Sequence, residues 1–102
     1  MDAASRGLLE GWIAGVLQRP QCDCGVFVGD DGRAFGPRAH PWDSPDVLVT
    51  GEVVDGALVL ELGDGAMLID RVSSVEPGDH PWGAGLRVTG AVAGSPCEIW
   101  LV

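Results

Sequence analysis

The residues with the clearest chemical potential are three cysteines, two of which stand one residue apart. Cys22 and Cys24 flank a single aspartate, and Cys97 follows much later in the chain. Two thiolates at this spacing can both reach one metal ion, or they can close a strained disulfide that is easily reduced. Zinc needs two more ligands, which Cys97 and either His40 or His80 would supply as a Cys₃His set. Because the spacing departs from the usual Cys-x₂₋₄-Cys pairs, we expect free thiols and no cofactor, with zinc as the alternative.

The tripeptide His-Pro-Trp occurs twice, at 40–42 and 80–82, and forms the second candidate site. If the two copies lie on related loops, their imidazoles and indoles enclose an aromatic pocket. Ring faces and neighbouring carboxylates would bind a cation or a basic side chain there, and paired histidines would respond to pH. In the alternative, architectural interpretation, proline fixes a strand entry, tryptophan closes one end of the fold and histidine caps a loop. The candidate binding residues are His40, Trp42, Asp43, Asp79, His80 and Trp82.

Neighbouring carboxylates are a third candidate, and they favour no catalytic role. Asp30, Asp31 and Asp64 all stand beside glycine in predicted tight turns, where aspartate is common because it bonds to its own backbone. The sequence contains no Gly-x-Ser-x-Gly nucleophile elbow, no Gly-x-Gly-x-x-Gly between a strand and a helix, and no Walker sequence. The chain is therefore predicted not to be an enzyme.

Composition restricts the partners that the protein can bind. The chain has 102 residues, enough for one domain spanning 1–102, and 46% of them are hydrophobic, too many for a disordered chain. Its formal charge is −9, and its six positive side chains are scattered arginines. Such a surface repels phosphate backbones and anionic lipid and favours a basic protein partner. An odd number of cysteines, no apolar run of membrane length and no signal-peptide pattern predict a cytoplasmic protein without membrane contact.

An amphipathic helix is predicted over residues 2–19. Its apolar stripe contains Leu8, Leu9, Trp12, Ile13, Val16 and Leu17, Pro20 ends it, and Asp2 or Ser5 caps its first turn. Gly7, Gly11 and Gly15 recur beside that stripe, although each costs roughly 1 kcal/mol relative to alanine within a helix. These glycines either form a groove for a second helix, giving a homodimer interface with Leu8 and Trp12, or let the helix lie close on its own sheet.

The rest of the chain alternates short β-rich runs with turn signals. A hairpin is predicted from Val26–Val28 and Arg33–Phe35, and Asp55-Gly56 and Gly63-Asp64-Gly65 are predicted to join three further strands. Residues 73–84 are predicted to be a linker. The predicted later strands are Val47–Val54, Leu58–Leu62, Met67–Val72, Leu86–Val92 and Ile99–Val102.

An internal pseudo-repeat underlies this pattern. Residues 40–62 and 80–102 share His-Pro-Trp, then Val-Thr-Gly, then one more apolar strand, which divides the β-rich region 25–102 into units of about 23–62 and 63–102. The run VLVTGEVVDGALVLELGDGAMLIDRV with GLRVTGAV and a final strand, within 47–102, resembles small OB-type β-barrels, and an SH3-like barrel fits nearly as well. OB-type barrels often bind single-stranded nucleic acid, whereas the predicted outward positions here include Glu52 and Glu61.

Together these patterns predict one α+β domain, mainly β, with an N-terminal helix on a small antiparallel barrel. The predicted function is a non-catalytic binding module whose acidic surface engages a protein partner, as an accessory subunit, inhibitor or regulator. The alternatives are a single-stranded nucleic-acid binder and a small zinc- or thiol-dependent protein using the Cys-x-Cys pair.

Overall fold

The computed structural model describes residues 1–28, 33–34, 46–63, 65–92 and 94–102, with side chains omitted for Val28, Arg33, Ala34 and Ser95. One α-helix, α1 (Ala3–Leu17), precedes a short 3₁₀ turn (Pro20–Cys22), and β-strands follow. The strands are β1 (Asp23–Cys24), β2 (Val26–Val28), β3 (Arg33–Ala34), β4 (Asp46–Val54), β5 (Ala57–Leu62), β6 (Gly65–His80), β7 (Gly83–Val92) and β8 (Ser95–Leu101). No helix in these ranges is long and apolar enough to cross a membrane.

The described strands form one antiparallel sheet in the order β1-β4-β5-β6-β7-β8-β2-β3. Strands β4 to β8 pair in chain order, as a meander, and helix α1 packs on β4, β6 and β7. The α+β, mainly β class is therefore confirmed. The described sheet is not closed, so the barrel and its OB- or SH3-like character stay predictions.

Helix α1 begins at the predicted cap. The Asp2 carboxylate accepts a hydrogen bond from the Ser5 backbone N–H at 2.8 Å, and this bond lowers the pKa of Asp2. Leu9, Ile13 and Val16 are buried and join the core beneath the sheet. The helix approaches β4 most closely at Gly51, where an added Cβ would lie 2.9 Å from Cγ1 of Ile13. The close approach therefore depends on a glycine of the sheet.

The glycines of the helix do not contact the sheet. Gly7, Gly11 and Gly15 are exposed, and among the described residues a Cβ added at any of them would meet nothing within 4 Å. The interpretation in which they let the helix lie close on its own sheet is therefore wrong. Leu8 and Trp12 pack against the edge of the core and are partly buried. The homodimer interface through this face stays a prediction.

Turn chemistry predicted the β4–β5 hairpin correctly, whereas the predicted turn residues 29–32 and Asp64 lie outside the described residues. Asp55 and Gly56, both with positive φ (48° and 80°), connect β4 to β5, as a type I′ turn requires. Residues 63–64 connect β5 to β6. Strands β2 and β3 pair as a hairpin.

The predicted linker 73–84 is wrong, because strand β6 continues to His80 and β7 begins at Gly83. The sequence suggested that no strand continues here, because the segment contains Ser73, Ser74, Pro77 and Gly78. In the described sheet, however, β6 beyond Val72 pairs only with β7, so that a proline without an N–H donor is tolerated at this edge.

Strand β6 bends where it exchanges neighbours. Its first part pairs with β5 up to Ile69, and its second part pairs with β7 from Asp70 to His80. Between Asp70 and Ser74 the register shifts, and Arg71 adopts a positive φ of 48°. Such a bulge increases the local twist and bends the strand.

Candidate functional site

The tip of the β6–β7 hairpin is the second His-Pro-Trp sequence. His80 pairs with Gly83 across the hairpin, and Pro81 and Trp82 form the turn between them. The backbone N–H of Trp82 donates a hydrogen bond to Nδ1 of His80 at 3.2 Å. The tripeptide is therefore a hairpin turn, and not the strand entry that the architectural interpretation predicted.

Four aromatic rings gather at this tip. The Phe27 ring stacks on His80 with 4.5 Å between ring centroids and meets Trp82 edge to face at 5.0 Å. His80 also contacts Trp100 of β8, at 5.6 Å. Both ring geometries are favoured for aromatic pairs. These ring contacts thus fix the orientations of four side chains that come from β2, β6, the hairpin turn and β8.

Two glycines leave space for these rings. A Cβ added at Gly25 would lie 2.6 Å from Cε2 of Phe27, and one added at Gly78 would lie 2.8 Å from the Trp100 ring. Both distances are shorter than real Cβ contacts, so larger residues would displace the rings. The aromatic cluster therefore depends on backbone positions that the sequence analysis did not single out.

The surroundings of His80 favour the neutral form of its imidazole. Loss of hydration lowers the pKa of His80 below its usual value of 6.5. The Nδ1 atom accepts the Trp82 hydrogen bond, and it cannot do so once protonated. Protonation would therefore remove the turn hydrogen bond and place a charge against Phe27.

A pocket of about 340 Å³ opens beside the tip. Trp82, 38% exposed, forms one wall with Gly83 and Ala84, and Arg19 and Asp23 supply its charges. The Arg19 Nη1 donates to the backbone oxygens of Asp23 at 2.8 Å and of Val102 at 3.4 Å. The guanidinium is thereby fixed at the rim of the pocket.

The first His-Pro-Trp copy cannot be compared with the second. His40, Trp42 and Asp43 lie outside the described residues, as do Asp30, Asp31 and Asp64. Asp79 is exposed and pairs with Ala84 across the hairpin. The pocket formed by both copies therefore stays a prediction.

The three cysteines lie in different settings. Cys22 is half-buried in the 3₁₀ turn and donates to the Leu17 carbonyl, whereas Cys24 is buried in β1 and Cys97 is half-buried in β8. Burial raises the pKa of the Cys24 thiol to about 12 and also raises that of Cys97. Across the described ranges, no three His, Cys, Asp or Glu side chains are grouped to hold a metal ion. The zinc alternative stays a prediction.

An exposed apolar patch lies on the outer face of β4–β5–β6, and the sequence analysis missed it. Val59 of β5 stands directly opposite Leu68 of β6, and Val54 lies diagonally across on β4. Their exposed fractions are 36%, 53% and 40%. We call these three side chains the outer patch. Side chains at such cross-strand positions lie close enough to form one surface.

Carboxylates surround the outer patch. Glu52 stands opposite Val59, Glu61 stands two residues further along β5, and Asp70 stands two residues after Leu68. All three are exposed, and the Glu61 carboxylate accepts a hydrogen bond from the Thr50 hydroxyl at 3.2 Å. The one arginine in β4, β5 and β6 is Arg71. The patch is therefore apolar at its centre and acidic at its rim.

The sequence did contain a signal for this patch. Leu58, Leu60 and Leu62 fill the inner face of β5, so that alternation predicts polar residues between them. Valine stands at 59, and leucine at 68 is its cross-strand neighbour. The outer face of β5 therefore departs from the alternation that its inner face predicts. By contrast, the sequence carried no signal that would group Phe27 with Trp100.

Neither a protein-family model nor a curated protein nor a solved structure matches this chain.

Proposed function

We propose that this protein is a non-catalytic interaction module that binds a basic protein partner through the outer patch. The observation that carries the proposal is the row formed by Glu52, Val59 and Leu68 across three strands. Contiguous exposed apolar side chains with a polar rim are typical of protein interaction surfaces. Burial of the three patch side chains would supply affinity, and the carboxylates would select the partner's charge.

The fold suits this role as a rigid platform. Strands β1 and β2 are separated by Gly25 alone, and they pair with β4 and β8 at opposite ends of the sheet order. We propose that residues 23–28 act as one strand that draws these ends together into a partly open barrel. The outer patch would then lie on the convex side of a curved sheet and be available to a partner without rearrangement.

Charge favours a basic partner over a second copy of the chain. Each copy carries a formal charge of −9, and two copies docked by this face would bring their carboxylate rims together. Like charges placed together at an interface oppose association, whereas a basic segment neutralises Glu52, Glu61 and Asp70. The same rim opposes single-stranded nucleic acid, whose phosphates it would repel.

A peptide titration tests this chemistry. Amide chemical shifts of the protein are followed by NMR while a synthetic peptide of alternating arginine and leucine is added, and a peptide of alternating glutamate and leucine serves as control. We expect saturable shifts at Val54, Val59 and Leu68 with the basic peptide alone, weakened by added salt. Leu68→Ser should reduce affinity roughly 5-fold or more, because it removes the most exposed apolar side chain of the patch.

Leu17→Ser is the matched control, because Leu17 is 42% exposed on the helix, outside the outer patch. It should leave the titration unchanged. Equal binding of both peptides, or equal losses in the two serine variants, would contradict the proposal. Self-association of the wild-type protein that Leu68→Ser abolishes would assign the patch to a second copy.

A further inference from the structure

The pocket beside Trp82 is separate from the outer patch and has the features of a ligand site. Its volume of about 340 Å³ lies at the small end of ligand pockets, and Trp82, Arg19 and Asp23 are among the residues that line it. Trp82 is held by Phe27 and by its turn hydrogen bond to His80. A preorganised aromatic wall binds a flat ring with little loss of side-chain freedom.

The pocket lining contains one positively charged residue, Arg19, and one negatively charged residue, Asp23. Arg19 commits Nη1 to two backbone oxygens, and no ion pair links its guanidinium to the Asp23 carboxylate within the described residues. A guanidinium has five N–H donors, so that donors remain for a ligand. A group that accepts from Arg19 and donates to Asp23 would satisfy both side chains at once.

We propose that this pocket binds a neutral planar ring whose edge carries a carbonyl next to an N–H, as in hypoxanthine, guanine and uracil. The ring stacks on Trp82, the carbonyl accepts from Arg19, and the N–H donates to Asp23. A formal charge of −9 on the protein disfavours phosphorylated forms. The ligand is therefore a free base or nucleoside and not a nucleic-acid strand.

Titration with inosine and 1-methylinosine tests the proposal, because methylation removes the N–H and keeps the ring. Amide shifts at Gly25, Gly83 and Ala84 and the Trp82 indole signal are the NMR readouts. We expect saturable inosine binding, at least 5-fold weaker binding of 1-methylinosine, and weaker binding of inosine monophosphate. Equal affinity for inosine and its methylated form, or no saturable shift with inosine, would overturn the proposal.

Variants identify the two polar partners. Asp23→Asn and Arg19→Gln should each reduce inosine affinity at least 5-fold. Asp23→Asn should also reduce the difference in affinity between inosine and 1-methylinosine. Arg6→Gln is the matched control, because Arg6 lies on the exposed helix surface in an ion pair with Glu10. Dispersed amide spectra establish that each variant is folded. If Asp23→Asn binds inosine as tightly as the wild-type protein, the assigned role of the carboxylate is wrong.

Discussion

Gly51→Ala should destabilise the protein by displacing helix α1 from strand β4. The new Cβ would lie 2.9, 3.0 and 3.2 Å from three side-chain atoms of Ile13, whereas carbon atoms at optimal separation are about 3.5–4.0 Å apart. Ile13 is buried, so it has little room to yield. Overpacking of this kind costs about 1–3 kcal/mol, partly offset by the roughly 0.5–1 kcal/mol by which alanine is favoured over glycine in a strand. The net loss should be about 1 kcal/mol, within a range of roughly 0–2.5 kcal/mol.

Urea unfolding followed by circular dichroism measures this loss, and two comparisons test its cause. Gly11→Ala introduces the same methyl group on the open side of the helix and should instead stabilise the protein by up to about 1 kcal/mol. Ile13→Ala removes all three clashing atoms, so Gly51→Ala should cost little in that background, with a coupling energy of about 1 kcal/mol or more. The packing argument fails if Gly51→Ala stabilises the wild-type protein as Gly11→Ala does.

Four other predictions concern the cap, the aromatic cluster, the helix face and the thiols. Asp2→Ala should lower the free energy of unfolding, measured by urea unfolding, because the Ser5 N–H loses its acceptor. The pKa of His80 is lower in the folded protein than its usual value of 6.5, which we take for the unfolded protein. The free energy of unfolding should therefore be constant above pH 6.5 and should fall as the pH drops below 6.5. Urea unfolding of His80→Asn should not show that fall. Gly11→Arg should give a monomer by sedimentation velocity if the helix face forms the homodimer, and a dimer that survives would refute that interface. Native mass spectrometry of protein purified without chelator should show no zinc adduct. A stoichiometric zinc adduct that is lost in Cys22→Ser would instead support the zinc-site hypothesis.

Local signals predicted the helix and several hairpins because the physics behind them is local. Asp2 caps its own first turn, and Asp55 and Gly56 adopt the backbone angles that their turn requires. These features depend on residues a few positions apart. The second half of β6 was missed because Pro77 and Gly78 disfavour a strand in general. They are accommodated only because the described sheet places no partner on one side of them, which sequence alone does not reveal.

The candidate site was predicted only in part, because its members come from distant segments. His80 and Trp82 attracted attention as a repeated tripeptide, and both belong to the aromatic cluster. Phe27 and Trp100 join them through the pairing of β2 with β8, which no local pattern specifies. The pocket likewise needs Arg19, which follows the helix, to reach the backbone of Val102.

The exchange of backbone hydrogen bonds between Gly25 and Val102, at 2.9 Å in both directions, has a consequence for the order of folding. Hairpins β4–β5, β5–β6, β6–β7 and β7–β8 close short loops and can form early, whereas β2 must wait for β8 across most of the chain. During synthesis, β2 can pair with β3 soon after it is made, but its second partner, β8, is made last. Phe27 and Trp100 meet only in that late step, so the aromatic cluster is assembled last, after the sheet that carries the outer patch.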